Sequence, residues 1–467
     1  MKIAFHGAAR SVTGSKHVIT HRNGNQYLLD CGLFQGMGKE TNSLNRHWGF
    51  NPALIKYLFL SHAHIDHSGL IPKLVSDGFN GPIFCTPATR SLAEILLADS
   101  AEIQMDDVKY LNKRRAAEGQ PYLRPLYNIE DARNSFKFFK TIEYDTWTRI
   151  DEDVEVLFTD AGHIIGSAAV HLRIREEGKI TQISFSGDVG RYRDIILKSP
   201  APFPQADYIL LESTYGNSLH DVNYTTPDAL LQWIEKACLR KKGKLIIPAF
   251  SVGRTQELLF TLNQLELERR LPDLAYYVDS PLSREATQVI TSYPQYFNRS
   301  IQKILQSDLN PFDFKGLHYV KTVEESKLLN YRRDPCVIIS ASGMADAGRV
   351  KHHISNNIEN SRNTILFTGY CEPNSLGGRL LAGAREVGIF GIPHEVHAEI
   401  GVIRSMSAHG DYEDLSQFLA CQDPKLIKRL FLVHGEPEVQ EQFKERLIRK
   451  GFADVMIPER HIELGLN

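Results

Sequence analysis

The sequence predicts an α/β protein in which a β-rich domain is interrupted by an inserted parallel-sheet domain. Three observations predict it. The first thirty or so residues carry short β-type runs broken by glycine: KIAFHGA, HVITH and QYLLDCG. From about residue 208 to 381 the pattern becomes strand, loop, helix, repeated several times, which implies a parallel sheet with crossover helices. The last stretch, with EVHAEIGVIRSMSAHGD and LIKRLFLVHGE, returns to the style of the first.

Taken in order, KYLFLSH (56–62) is a continuous apolar strand, as expected when both sheet faces are covered. It runs into HAHIDHSG and then an amphipathic helix with Leu70, Ile71, Leu74 and Val75 on one face. PIFCT (82–86) is a buried strand, and residues 89–118 read as helix. Residues 119–150 are charged and aromatic without a period and stay unassigned. Strands resume with VEVLFTDAGH, AAVHLRIR and ITQISFSGDVG, followed by a Pro-rich connector around 197–206. YILLEST (208–214) precedes a helix from about 226, and the segments at 244–265, LAYYVDSPLSREATQVI, 335–354 and 363–381 each repeat the strand–loop–helix plan. The expected domains are 1–212, an insert at 213–405, and a completion of the first domain at 406–467. No short internal repeat and no low-complexity tract interrupts this plan.

Composition narrows the function classes. At 467 residues the chain is long enough for two cores. Its 42% hydrophobic and 24% charged residues exclude a disordered or collagen-like chain. Lys and Arg total 54 against 56 Asp and Glu, so a protein that coats nucleic acid through bulk positive charge is excluded, although a local basic groove is not. The six cysteines, at 31, 85, 238, 336, 371 and 421, form no C-x-x-C, which argues against a zinc ribbon or a disulfide scaffold and fits a reducing compartment. No stretch approaches the ~18 apolar residues of a membrane span, and the N-terminus lacks a signal core. The expectation is a soluble cytoplasmic protein with no membrane partner. The 18 histidines are the informative excess, because several are clustered.

His62, His64, Asp66 and His67 form H-x-H-x-D-H just past a buried strand. Four ligand-type side chains within six residues suit two adjacent metals better than one, since a single zinc seldom takes four neighbours from so short a span. Imidazole and carboxylate favour zinc, with manganese or iron as substitutes. His163 in DAGHIIGS, Asp188 in FSGDVGR and His434 in LFLVHGE each follow an apolar strand and lie beside glycine, which lets backbone approach closely. Singly each would pass for surface polarity; jointly they read as the remainder of a two-metal site.

HAHIDHSG resembles the signature of metallo-β-lactamase-fold hydrolases, and LLDCGLFQG with Asp30, AGHIIGS and SGDVG resemble that superfamily's other motifs. LLESTYG with Glu212, SMSAHGD with His409 and FLVHGE with His434 resemble motifs A, B and C of the β-CASP nucleases, the RNase J type and the endonuclease of eukaryotic pre-mRNA 3′-end processing. PAFSVGRTQELL, VDSPLS, NPFDF, ASGMADAGR and the Gly-rich 375–383 also fit, so the resemblance runs from the first strand to the last helix and looks like the compact bacterial version. It implies a metallo-β-lactamase αββα sandwich with an inserted β-CASP domain. It also implies that His62, His64 and His163 hold one zinc, that Asp66, His67 and His434 hold a second, that Asp188 bridges them, and that Asp30 orients the ligand loop.

The implied activity is zinc-dependent ribonuclease: hydrolysis of RNA phosphodiester bonds, endonucleolytic with a 5′→3′ exonuclease as a further capacity, by a two-metal bridging-hydroxide mechanism. Asp66 would accept a hydrogen bond from the nucleophile, His409 would donate to the phosphate or the leaving oxygen, and Glu212 would hold His409 in the correct tautomer and raise its pKa. With Asp188 these are the expected catalytic residues. Single-stranded RNA is expected in an interdomain cleft, gripped by strand–Gly–helix turns at Ser251, Val252, Gly253 and Arg254 and at Ser342, Gly343 and Met344, with Arg349, Arg379 and Arg404 adding phosphate contacts. Phe250 and Tyr370 are candidates for base stacking but read first as core residues. A dimer is compatible with the sequence and not set by it. The competing classes are a hydrolase of small esters or thioesters, which leaves the insert, Glu212 and His409 without a role, and a non-catalytic RNA-processing subunit, which should have lost ligands that are all present. A DNA nuclease is the third, and His434 argues against it, since motif C is Val in DNA-acting members.

Overall fold

A computed structural model describes the chain apart from residues 221–225, 307, 309, 370, 404, 405 and 467. Its contacts divide it into two units. One comprises residues 1–219 together with the segment from His409 onward, and the other is His220–Ala408.

The first unit contains two seven-stranded sheets. In one, Lys2–Gly7 pairs antiparallel with both Lys16–Thr20 and Glu463–Gly465, so the last strand of the chain is hydrogen-bonded to the first. Gln26–Leu29 pairs antiparallel with Lys16–Thr20, and Ile55–Phe59, Ile83–Cys85 and Phe139–Thr141 continue the sheet in parallel. In the other sheet Tyr208–Glu212 lies between Lys179–Phe185 and Arg429–Val433, parallel to both, and the hairpin strands Val154–Asp160 and Ala168–Glu176 extend it.

Side-chain alternation sorts these strands into layers. Phe5, Ile19, Tyr27, Leu29 and Phe59 from the first sheet share one core with Phe158, Val170, Leu172, Phe185, Leu210 and Phe431 from the second. Each such side chain contributes roughly 1.5–3 kcal/mol on burial, so a one-residue slip, which would turn a strand over, is strongly disfavoured. Leu28 and Leu58 point the opposite way and are also fully buried, which is why their strands read as unbroken apolar runs. The outer face of the second sheet, with Ile209, Leu211, Leu430 and Leu432, is covered by Leu415 and Phe418 of helix Tyr412–Phe418 and by Phe443 and Leu447 of helix Pro437–Arg449. The unassigned 119–150 stretch contains helix Ile129–Ser135, started by a reciprocal Asn128–Asp131 capping box, and then the edge strand Phe139–Thr141. A seven-residue helix is too short to show a period.

The second unit is built on a six-stranded parallel sheet. Lys244–Pro248, Ala275–Val278, Cys336–Ser340 and Thr364–Phe367 are each followed by a helix, starting at Arg254, Pro281, Gly348 and Leu376. Ile246, Ile365 and Phe367 pack against Val350, Ile354, Leu376 and Leu380. The α/β class, the sandwich and the parallel sheet are those the sequence predicts. Among the described residues no helix is long and apolar enough to cross a membrane.

Candidate metal centre

Five strands of the sandwich end at one place, and the loops that follow carry the polar cluster. His62 and His64 follow Ile55–Phe59, and Asp66 and His67 lie in the one-turn helix Ile65–Ser68. His163 follows Val154–Asp160, Asp188 follows Lys179–Phe185, Glu212 ends its strand, and His434 follows Arg429–Val433. His409 stands two residues before Asp411, which caps helix Tyr412–Phe418 in a reciprocal box with Asp414. Gly410 donates to Val189 O at 2.7 Å, so that helix start is pinned beside Asp188. Asp30 and His434 both adopt left-handed backbone, with φ of 58° and 52°, a strain that the surrounding hydrogen bonds hold in place.

The donor atoms converge in two groups. His62 Nε2 and His163 Nε2 each lie 3.2 Å from His64 Nδ1, and Asp188 Oδ2 lies 3.4 Å and 3.5 Å from those two Nε2 atoms. His67 Nε2 lies 3.2 Å from His434 Nε2, and Asp66 Oδ2 is 3.4 Å from His434 Nε2 and 3.8 Å from His67 Nε2. Asp188 Oδ1 is 3.2 Å from His67 Nε2, so the two oxygens of one buried carboxylate serve both groups. Bonds of ~2.0–2.1 Å to a tetrahedral ion require ligand atoms roughly 3.4 Å apart. The side chains therefore fit zinc-sized ions. Asp188 Oδ1 is buried and accepts no hydrogen bond, as a metal ligand would be.

Partners behind the ring fix which nitrogen faces inward. Asp30 accepts from His67 Nδ1 at 2.6 Å and is itself held by the Ser61 amide at 2.7 Å and the Ser61 hydroxyl at 2.8 Å. Ser61 Oγ is also 3.0 Å from His62 Nδ1, and Thr214 Oγ1 is 3.0 Å from His434 Nδ1. Each contact leaves Nε2 for the centre. The loops can close this far because Gly187, at φ 56°, has no side chain; a Cβ there would stand 2.7 Å from the Cβ of Ser61.

Electrostatics follow burial and mutual charge. Burial pushes the His62 ring down to about 3 and drives His163 well below its usual range, so both are neutral and able to bind metal. Burial would raise Asp188, but His434, His67, His409 and His62 around it hold it well below the carboxylate range. Glu212 is fully buried; its Oε1 accepts from the Val189 amide at 2.8 Å and lies 3.1 Å from His409 Nδ1. Burial works against the His409 cation, and the Glu212 and Asp188 carboxylates outweigh it, raising the ring to about 9. Asp66 and His409, with side chains 21% and 18% exposed, form the open side of the cluster together with the partly exposed His64.

Family models and related proteins match most of the chain. The models for the metallo-beta-lactamase superfamily, the Beta-Casp domain and the Zn-dependent metallo-hydrolase RNA specificity domain match residues 17–248, 255–380 and 393–458. Ribonuclease TTHA0252 of Thermus thermophilus is 34% identical over 94% of this chain and 94% of its own length. The chain belongs to the β-CASP family of metallo-β-lactamase-fold proteins. Transcription termination factor FttA of Methanosarcina mazei is 29% identical over 88% of this chain, and that of Pyrococcus abyssi 32% identical over 82%. The chain spans only 63% and 58% of those two longer relatives.

In the β-CASP insert Ser251, Gly253, Arg254, Ser342 and Gly343 follow the carboxyl ends of parallel strands, whereas Arg349 and Arg379 lie within helices Gly348–Asn357 and Leu376–Leu381. Ser251 is buried, with its hydroxyl 3.3 Å from that of Ser280, and Gly253 caps helix Arg254–Leu267 at φ 83°. Arg254 is buried and ion-paired with Glu257. Ser342 and Gly343 follow Cys336–Ser340; Arg349 donates to the buried Asp279 at 2.6 Å, and Arg379 is exposed. Arg404 and Tyr370 lie outside the described residues. Phe250 corrects an expectation: it is 39% exposed rather than a core residue, because it leaves the sheet end and covers the backbone of Gly343, where a Cβ would meet its ring at 2.6 Å. Sequence reasoning missed Ser61 and Thr214. Both were adjacent to motif residues, and the available signal was a hydroxyl side chain within two positions of a ligand or of Glu212.

Proposed function

We propose that this β-CASP protein is a zinc-dependent ribonuclease that cleaves single-stranded RNA endonucleolytically. The observation that carries the proposal is the division of the Asp188 carboxylate between two ligand groups, which suits two ions sharing one bridge. In this reading His62, His64 and His163 hold one zinc, Asp66, His67 and His434 hold the other, and Asp30 orients His67. Bound there, two such ions would supply Lewis acidity, acidifying water near neutral pH and offsetting charge on the phosphate.

The chain's own residues do the rest. Asp66, on the open side, accepts a hydrogen bond from the attacking water. Glu212 holds His409 Nδ1, which leaves Nε2 to donate to a phosphate oxygen or to the leaving oxygen. Ser251, Gly253, Ser342, Gly343, Arg349 and Arg379 of the insert are proposed as the phosphate-binding side; Arg254 is instead committed to its buried pair with Glu257. A small-ester hydrolase would have no use for the insert or for the Glu212–His409 pair, and a relative that matches over nearly its whole length is named a ribonuclease.

The test pairs metal analysis with cleavage of end-labelled RNA bearing 5′-triphosphate, monophosphate or hydroxyl. The protein is expected to carry about two zinc per chain and to give internal cuts irrespective of the 5′ group. Asp188→Ala and His409→Ala should each remove cleavage while leaving the circular dichroism unchanged. Well-folded protein without transition metal, or full cleavage by both variants, refutes the proposal. A ladder growing only from a 5′-monophosphate end would replace endonuclease with exonuclease.

A further inference from the structure

Lys16 is 1% exposed, yet no carboxylate pairs with it among the described residues. Its Nζ donates to Gly14 O at 2.8 Å and to Gly32 O at 2.7 Å and lies 4.2 Å from the centre of the Phe34 ring. A fully buried lysine without a counter-charge is costly, and burial pushes its amino group down to about 7. Something must offset that cost, and the two carbonyls it joins belong to different loops of the centre, reinforcing the backbone bonds of Ser15, which donates to Asp66 O and accepts from Gly32 N, each at 2.8 Å.

Gly32 sits in the loop that carries the first of these. Cys31 N donates to His67 O at 2.7 Å and Leu33 N to Ile65 O at 2.9 Å, so residues 31–33 are zipped to the turn bearing Asp66 and His67. Gly32 is so close to this turn that a Cβ on it would lie 1.6 Å from Asp66 O. Gly14 closes the other loop. There Ala8 O accepts from His434 N at 2.7 Å, Ser11 O accepts from Gly435 N at 3.2 Å, and Ala8 N donates back to Thr13 O at 3.1 Å. A Cβ on Gly7 would lie 1.7 Å from Gly14 O, so both ends of this loop are in contact.

We propose that Lys16 is a positioning residue of the metal centre, whose amino group ties the loop behind Asp66 and His67 to the loop behind His434 and so sets the spacing of the second metal's ligands. The inference rests on the reading that those three residues hold a metal. The role is one of geometry, since a buried cation near a dication site opposes metal binding. A neutral donor of the same reach should therefore serve, and loss of the donors should weaken the second metal even though a repelling charge is removed.

The test titrates metal-stripped full-length protein with Zn2+ against a chromophoric chelator, for wild type, Lys16→Met and Lys16→Gln. Wild type is expected to take up two ions. In Lys16→Met the first ion should bind as before and the second about tenfold or more weakly, the range typical of outer partners of metal ligands. Lys16→Gln, whose amide keeps two N–H donors, should stay close to wild type. Wild-type or tighter binding of the second ion by Lys16→Met overturns the proposal. If neither variant shows a native near-UV spectrum, Lys16 serves the fold in general and the proposal falls. Uptake of a single ion by wild type is a separate result, which defeats the two-zinc reading and the Lys16 role with it.

Discussion

In the proposed reaction the pair that sets the proton donor is Glu212 and His409. A carboxylate with no exposed surface holds the ring by one nitrogen, and its charge, with that of Asp188, keeps the ring protonated against the cost of burial. A proton donor works in its charged form, so activity that depends on His409 is present below its pKa and lost as pH rises through it. Glu212→Gln keeps the hydrogen-bond acceptor and removes the charge, which lowers that pKa. The expected outcome is an alkaline limb of kcat shifted to lower pH, with the acid side little changed. A limb that stays in place in the kcat–pH profile would remove His409 from the donor role.

At the scale of elements, the helix Arg254–Leu267 shows how a motif residue can be committed to packing. Arg254 begins the helix, where the dipole disfavours a cation, and its guanidinium is buried against Glu257 one turn along. Removing one member of a buried pair strands the other charge, at a cost of about 3 kcal/mol or more. Arg254→Ala should lower the midpoint of denaturant unfolding accordingly, and Arg254→Ala/Glu257→Ala should recover much of the loss. If the single variant unfolds like wild type, the pair contributes little and the guanidinium is available to RNA. The sequence marked Arg254 through its Gly-turn context, but Glu257 read as an ordinary helix residue, because nothing in spacing alone says that both ends of an i,i+3 pair are buried.

At the scale of the molecule, the chain leaves the sandwich and returns to it at neighbouring points. Tyr215 and Asp411 form a β-bridge, and Tyr412 N lies 3.4 Å from Ser218 O. Every proposed metal ligand, with Glu212 and His409, belongs to the sandwich unit. Replacing residues 220–408 by a short Gly-Ser linker should therefore leave a folded unit that binds zinc but cleaves RNA poorly. Zinc stoichiometry and near-UV circular dichroism check this; an unfolded product would show that the insert is needed for the sandwich to form.

The residues of the cluster were legible because metal chemistry demands a few residue types at high density, and strand ends beside glycine are where a sheet can deliver them. His62, His64, Asp66 and His67 announce themselves within six positions. Ser61, Thr214 and Lys16 did not, since their contacts with Asp30, His434 and Gly32 are made by the fold, and a serine, a threonine or a lysine has many ordinary uses. The sequence by itself determined the α/β class with its inserted β-CASP domain, and it offered the residue types proposed as donors. Only the tertiary structure decided how Asp188 is shared between two groups, which nitrogen of each ring faces the centre, and what joins the loops behind them. Those are matters of distances near 3 Å between residues up to several hundred positions apart, set by how the two sheets pack and not by any local pattern.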